Sequence, residues 1–87
     1  MVTKTQGRAL RRLKIIGGQI HGLQKMVEDD RYCPDIIIQS LAIKKALSSF
    51  EDFIFENHIA THAVEQIKGQ KSKKAVKEII AIYKLSK

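Results

Sequence analysis

The chain has 87 residues, 44% of them hydrophobic, and its 16 Lys and Arg outweigh nine Asp and Glu, giving a net charge of +7. This length allows one small domain, residues 1–87, which is marginally stable alone and is often completed by oligomerisation. One cysteine excludes a fold held by intrachain disulfides, and the positive charge favours a polyanionic partner, nucleic acid before a membrane.

The N-terminal segment is basic, but its apolar residues are spaced and lead to no small-residue cleavage site. It therefore does not resemble a signal peptide. No run approaches the roughly 20 apolar residues that a membrane span requires. We expect a cytoplasmic protein with no membrane partner.

The first predicted helix has apolar residues at steps of three or four, which form one stripe. The stripe consists of Leu10, Leu13, Ile16, Ile20, Leu23 and Val27. A different arc carries the basic residues Lys4, Arg8, Arg11 and Arg12. Gly17, Gly18 and Gly22 are unfavourable in a helix by about 1 kcal/mol each. They predict a close helix approach or a local kink.

The second predicted helix follows the segment EDDRYCPDI. Pro34 suits the first helical position, which makes Cys33 the predicted N-cap. No Gly or Pro interrupts the chain from there to about Lys68. Its apolar face is too broad for one short neighbour to cover, and this favours a helix buried in a bundle. The face consists of Ile36, Ile37, Leu41, Ile43, Leu47, Phe50, Ile54 and Phe55.

A turn at KGQKSKK separates the last helix, predicted over roughly residues 73–85. Gly69 is the candidate C-cap of the preceding helix and Ser72 the candidate N-cap of the next. No alternating strand pattern occurs anywhere. The sequence therefore predicts an all-α fold.

The segment ENHIATHA places His58 and His62 one helical turn apart, about 6 Å. Cys33 lies 25 residues earlier, about 38 Å away along a continuous helix, so one chain cannot bring all three to one ion. Two antiparallel chains can. A thiolate and two imidazoles suit Cu(I), Zn(II), Co(II) or Ni(II). On a helical wheel both histidines face the core side. The alternative to a metal site is therefore that each histidine is a structural core residue whose ring nitrogen forms a hydrogen bond.

The sequence lacks the residues that an enzyme with these histidines or this cysteine would need. Zinc proteases with this histidine spacing carry a glutamate after the first histidine, whereas Ile59 stands there. A nucleophilic cysteine–histidine pair would need an oxyanion loop, and none is evident. We predict that the protein is not an enzyme.

Three segments together resemble the CsoR/RcnR-type metal-sensing transcriptional repressors. They are RRLKIIGGQIHGLQKMVEDDRYCPDIIIQSLAIKKAL, ENHIATH and the final basic helix. The resemblance covers nearly the whole chain. It implies a three-helix protomer, an antiparallel four-helix-bundle dimer and a tetramer built as a dimer of dimers. It also implies a repressor that binds operator DNA without metal, releases it on metal capture, and controls metal efflux or resistance genes.

The resemblance also assigns residues. It makes Cys33, His58 and His62 the metal ligands, and it makes Tyr32 and Glu78 the groups that couple a coordinated histidine to the last helix. Arg12 and Lys45 match basic DNA-contacting positions. With them, the predicted DNA-binding set comprises Lys4, Arg8, Arg11, Arg12, Lys14 and Lys45. The chain departs from the family pattern at Ile15, Gly17 and His21, which changes the charge of the first helix.

The inducing metal follows from the ligand count. Nickel–cobalt sensors of this family carry a further histidine where this chain has Met1. One thiolate and two imidazoles suit three-coordinate Cu(I), whereas Ni(II) and Co(II) favour more ligands. The sequence therefore favours copper. A nickel- or cobalt-sensing repressor and a basic helical DNA-binding protein without metal sensing remain the alternatives.

Overall fold

A computed structural model describes residue 1 and residues 3–86, and every regular element in this part of the chain is helical. The elements are α1 (Thr3–Glu28), α2 (Cys33–His58), a π-helical segment (Ile59–Ala63), α3 (Val64–Lys68) and α4 (Ser72–Ser86). The predicted all-α fold is confirmed.

The turn after α1 closes the helix through a left-handed residue. Asp30 has φ 53°, its N–H donates to the carbonyl of Val27 at 3.1 Å, and the N–H of Arg31 donates to Met26 at 3.0 Å. This pair of hydrogen bonds is a Schellman motif, with aspartate where glycine is the usual residue. It satisfies two of the terminal carbonyls of α1.

The start of α2 differs from the prediction by one residue. The carbonyl of Tyr32 accepts hydrogen bonds from the N–H groups of Asp35 (3.0 Å) and Ile36 (3.3 Å). The residue whose carbonyl accepts the first helical bond is the N-cap, so Tyr32 caps α2. The prediction of Cys33 as the N-cap was therefore wrong: Cys33 is the first helical residue and Pro34 the second.

The helical path from residue 33 to residue 68 is unbroken, as predicted, but it contains a π-helical segment that was not predicted. His58, Ala63 and Val64, which border the changes of helix type, all have right-handed helical φ and ψ. A π-helical turn holds more residues than an α-helical turn, and such turns are frequent at functional sites. Here the segment contains His62.

The turn before α4 repeats the left-handed closure seen after α1. Gly69 is the C-cap of α3, as predicted, while the left-handed residue is Gln70, with φ 66°. The carbonyl of Lys71 accepts a hydrogen bond of 3.1 Å from Ala75, so Lys71 is the N-cap of α4. The prediction of Ser72 as the N-cap was wrong, because the helix begins one residue earlier than the serine side chain suggests.

The chain divides into two compact units, Met1–Ile54 and Phe55–Lys87, here called the N-terminal and C-terminal units. In the N-terminal unit the buried apolar residues are Ala9, Ile16 and Ile43, and in the C-terminal unit they are Ala63 and Ala75. Among the described residues, full burial of apolar side chains is thus limited to these few in each unit.

Half of the residues in the two predicted apolar stripes are exposed in the single chain. Leu10 and Ile20 of α1 are 54% and 51% exposed, and Ile37 and Leu41 of α2 are 58% and 56% exposed. Only Ile16 of the α1 stripe and Ile43 of the α2 face are buried. Exposed apolar side chains in such number on two helices indicate a surface for contact with a partner.

The glycines of α1 do not mark a close contact within the chain. The helix runs through all three as one element, and a Cβ built at Gly17, Gly18 or Gly22 would meet nothing within 4 Å. The prediction of a close helix approach is therefore wrong within the single chain. Separately, no helix among the described residues is both long and apolar enough to traverse a membrane.

Candidate metal centre and DNA-binding surface

The C-terminal unit brings the two predicted histidine ligands together. His58 is the last residue of α2 and is half-buried, whereas His62 lies in the π-helical segment and is exposed. Their ring centroids are 5.6 Å apart, with an interplanar angle of 56°. With metal–nitrogen bonds of about 2.0 Å, two imidazoles on one trigonal ion have centroids roughly 5.5 Å apart. The centroid separation of the pair matches that of two imidazoles on one trigonal ion.

The side chain of Thr61 fixes the backbone between these histidines. Its hydroxyl donates a hydrogen bond of 2.7 Å to the carbonyl of Asn57, four residues earlier. Hydrogen bonds of this type bend helices locally. The sequence interpretation did not single out Thr61; its position between two candidate ligands was the available signal.

The third predicted ligand, Cys33, belongs to the N-terminal unit. It is a free, exposed thiol at the first position of α2. The thiolate is the form of a cysteine that binds metal. Within residue 1 and residues 3–86 of one chain, no three His, Cys, Asp or Glu side chains lie close enough to hold a metal ion.

The two predicted coupling residues have different surroundings. Tyr32 is 74% exposed and uses its carbonyl to cap α2. Glu78 lies in α4 and is half-buried, and its Oε1 atom is buried without a hydrogen-bond partner in the described part of the chain. A buried carboxylate oxygen without a donor is costly, so it is an open acceptor for a further N–H group.

The six residues of the predicted DNA-binding set are all exposed. Five of them lie on α1 and Lys45 lies on α2; the α1 members are Lys4, Arg8, Arg11, Arg12 and Lys14. Solvated lysines and arginines grouped on helices form the electrostatic footprint of a nucleic-acid-binding protein.

Arg12 has contacts that the other five do not share among the described residues. Its guanidinium carbon lies 4.6 Å from the ring centroid of Phe53, and its Nη1 donates a hydrogen bond of 3.4 Å to Ser49 Oγ. Both partners are on α2, within the N-terminal unit. The sequence interpretation did not identify Ser49 or Phe53. An antiparallel α1–α2 register would have pointed to them, since Arg12 precedes the end of α1 by 16 residues and Ser49 follows the start of α2 by 16 residues.

Comparison with known proteins places these features in one family. Residues 5–84 match the family model described as metal-sensitive transcriptional repressor. The copper-sensing transcriptional repressor CsoR of Bacillus subtilis (strain 168) is 34% identical over 82 residues, which cover 94% of this chain and 81% of that protein. CsoR of Mycobacterium tuberculosis (strain ATCC 25618 / H37Rv) is 28% identical over 85 residues, covering 98% of this chain and 71% of that protein.

A solved structure is similar over nearly the whole chain. It is the copper-sensing repressor CsoR with Cu(I) from Geobacillus thermodenitrificans NG80-2, with a TM-score of 0.92 and 33% sequence identity. The match covers 98% of this chain and 88% of that one. The chain therefore belongs to the metal-sensitive transcriptional repressor family, whose members regulate transcription rather than catalyse a reaction.

Proposed function

We propose that this repressor responds to copper: without metal it binds operator DNA, and Cu(I) capture by Cys33, His58 and His62 releases the DNA. The observation that carries the proposal is the histidine pair, whose ring centroids are 5.6 Å apart at the end of the helix that begins with Cys33. The genes it controls are proposed to serve metal efflux or resistance.

The donor set favours Cu(I) over the other metals. One soft thiolate and two imidazoles complete a three-coordinate shell, which Cu(I) accepts, while Ni(II) and Co(II) favour additional ligands. The relatives in Bacillus subtilis and Mycobacterium tuberculosis are named as copper-sensing, and the Geobacillus structure contains Cu(I). These names and this ligand chemistry support the same choice.

The proposed site is shared between two chains. Cys33 and His58 are the first and last residues of a 26-residue helix. A straight α-helix of that length extends about 39 Å, far beyond the reach of one ion. In an antiparallel pair of α2 helices, the cysteine of one protomer lies beside the histidines of its partner. The exposed apolar side chains of α2 supply the surface for this dimer, and two dimers form the proposed tetramer.

Glu78 and Tyr32 are proposed to link the site to the rest of the protein. A histidine ligand commonly donates its second ring N–H to a carboxylate, which fixes its tautomer and orientation. The unpartnered Oε1 of Glu78 is available as such an acceptor. Tyr32 adjoins Cys33 and offers an exposed phenol at the same end of α2. A change at the ligands would then reach α4 through the glutamate.

The proposed DNA contacts are the exposed basic residues of α1 together with Lys45. They act mainly on phosphates, because lysine and arginine side chains neutralise backbone charge and release counterions. Such contacts position the protein on DNA, while base-edge contacts would specify its sequence. Metal capture in the α2 pair lowers DNA affinity by changing the arrangement of these surfaces.

An anaerobic titration tests the proposal. The protein is bound to a fluorescent fragment of its own promoter region, and anisotropy is followed during addition of Cu(I), Ni(II), Co(II) or Zn(II). We expect Cu(I) to release the DNA at about one equivalent per protomer, since each shared site uses one cysteine and one histidine pair. Release by nickel or cobalt alone would identify a sensor of those metals. Retention of DNA with every metal would identify a DNA-binding protein without metal sensing.

A further inference from the structure

Arg12 differs from the other basic residues of α1 in being held by neighbouring side chains. Its guanidinium carbon lies 4.6 Å from the centroid of the Phe53 ring, and Nη1 donates to Ser49 Oγ at 3.4 Å. Within the described part of the chain, no comparable contact holds Arg8 or Arg11. The predicted DNA-binding surface thus contains one arginine that neighbouring side chains hold, among cations without such a contact in the described part of the chain.

The contact with Phe53 leaves Arg12 competent to bind an anion. A guanidinium is planar, and all of its N–H groups point outward in that plane. The contact with the Phe53 ring is a cation–π interaction, and the ring supplies no oxygen or nitrogen acceptor for the N–H groups. Ser49 takes one hydrogen of Nη1, so the remaining donors can form the paired hydrogen bonds that arginine makes with phosphate oxygens.

Fixing this side chain reduces the cost of binding DNA. A free arginine loses rotamer entropy when it is immobilised on a phosphate. An arginine already stacked on Phe53 has lost part of that freedom on folding, and preorganisation of this kind raises affinity. Phe53 is half-buried and lies within α2, so its ring is restricted in the positions it can take beside Arg12.

We propose that Phe53 is a positioning residue for DNA binding, whose ring holds the Arg12 guanidinium ready for a backbone phosphate of the operator. This inference rests on the proposed function because it requires operator DNA as the ligand. It assigns to an aromatic residue on α2 a role in the DNA affinity of a basic surface on α1.

A double-mutant cycle in the full-length protein tests this role. DNA affinity is measured by anisotropy, without metal, for the unaltered chain, Phe53→Leu, Arg12→Ala and the double variant. We expect Phe53→Leu to weaken binding roughly two- to fivefold for each Arg12 contact, the range of an exposed cation–π interaction. In the Arg12→Ala background the same substitution should have no further effect. Phe53→Tyr, which keeps the aromatic face, should retain nearly full affinity.

Phe50→Leu is the matched control, because Phe50 is also half-buried on α2 and neither a hydrogen bond nor a cation–π contact joins it to Arg12 among the described residues. It should leave DNA affinity unchanged. If Phe53→Leu fails to fold, as judged by its circular dichroism melting curve, Phe53→Met takes its place in the cycle. NMR of the metal-free protein checks the stack itself, since the ring current should shift the Arg12 side-chain protons upfield in the unaltered chain and in Phe53→Tyr.

The outcomes separate this inference from the proposed function. If Phe53→Leu weakens DNA binding equally in the presence and absence of the Arg12 guanidinium, Phe53 acts on the fold alone and the positioning role is overturned. An absent ring-current shift would overturn it as well. If the unaltered protein binds no operator DNA, the proposed function fails, and the positioning role fails with it.

Discussion

The hydroxyl of Thr61 donates a 2.7 Å hydrogen bond to the main-chain carbonyl of Asn57, within the turn that carries His58 and His62. It spans one helical turn where the α-helix gives way to the π-helical segment. Because the ring of each histidine is placed by its backbone, this bond helps to set the separation of the two proposed ligands.

Thr61→Val should therefore change metal binding more than stability. Valine keeps the shape of threonine but removes the donor, so the unfolding free energy should fall by no more than about 1 kcal/mol. The histidine geometry would relax, and Cu(I) affinity should fall about tenfold, as for other groups that orient metal ligands. Competition with a Cu(I) chelator measures the affinity. Thr61→Ser keeps the hydroxyl and should behave like the unaltered chain; equal affinities for serine and valine would contradict the prediction.

Mixing two defective chains tests the shared metal site. Cys33→Ala protomers and protomers with both His58→Ala and His62→Ala should each lose tight Cu(I) binding, because each lacks part of the ligand set. After subunit exchange, a mixed dimer has one site with an intact cysteine facing intact histidines. Copper binding should return at one of its two sites. Mass spectrometry of the intact dimers verifies exchange, and no recovery despite exchange would show that the ligands are not shared.

The exposed apolar face of α2 predicts that no stable monomer exists. Sedimentation at micromolar concentration should give a dimer or a tetramer. Leu41, 56% exposed on α2, should be covered in the assembly, so Leu41→Asp should shift the protein toward smaller or unfolded species. Leu85→Asp makes the same change at a residue that is 87% exposed near the end of α4. It should leave the mass of the sedimenting assembly unchanged. A folded monomer of the unaltered chain would remove the basis of the shared site.

The salt dependence of DNA binding should identify phosphate contacts. Lys14→Ala should weaken binding to all DNA sequences to a similar extent and lower the slope of log affinity against log salt by about one per lost contact. Lys84→Ala removes the same charge from α4, outside the predicted DNA-binding set, and should leave the slope unchanged. Anisotropy titrations over a salt series provide the measurement. Identical slopes for the two variants would remove Lys14 from the DNA surface.

The left-handed residues offer a stability test. Gln70 has φ 66°, a conformation that costs a residue with a Cβ about 1 kcal/mol, whereas glycine adopts it freely. Gln70→Gly should therefore raise the unfolding free energy by about 0.5–1 kcal/mol. Asp30→Gly should gain less, because aspartate tolerates this region better. Chemical unfolding at one fixed protomer concentration compares them, and a loss of stability in Gln70→Gly would contradict the assignment of strain.

Local sequence determined the helices and their approximate ends. Apolar spacing, Pro34 and Gly69 act through interactions within about four residues, so they specify helix type and turns without knowledge of the fold. The separation of His58 and His62 was predictable for the same reason, since the two residues are four positions apart on one helical path. The cap positions at Tyr32 and Lys71 were each missed by one residue, because the capping groups are main-chain carbonyls, which every residue carries.

Tertiary structure decided the features that depend on how one helix meets another. The stack of Arg12 on Phe53 depends on the register of α1 against α2, which short-range periodicity does not encode. The open space around Gly17 could likewise not be predicted from the sequence. Glycine has the same low helix propensity whether or not another helix packs against it. The sequence by itself indicated which residues have side chains suited to metal and to DNA, since that is a property of side-chain chemistry. Only the packed structure determined which of them are held in position, because that depends on neighbours distant in the chain.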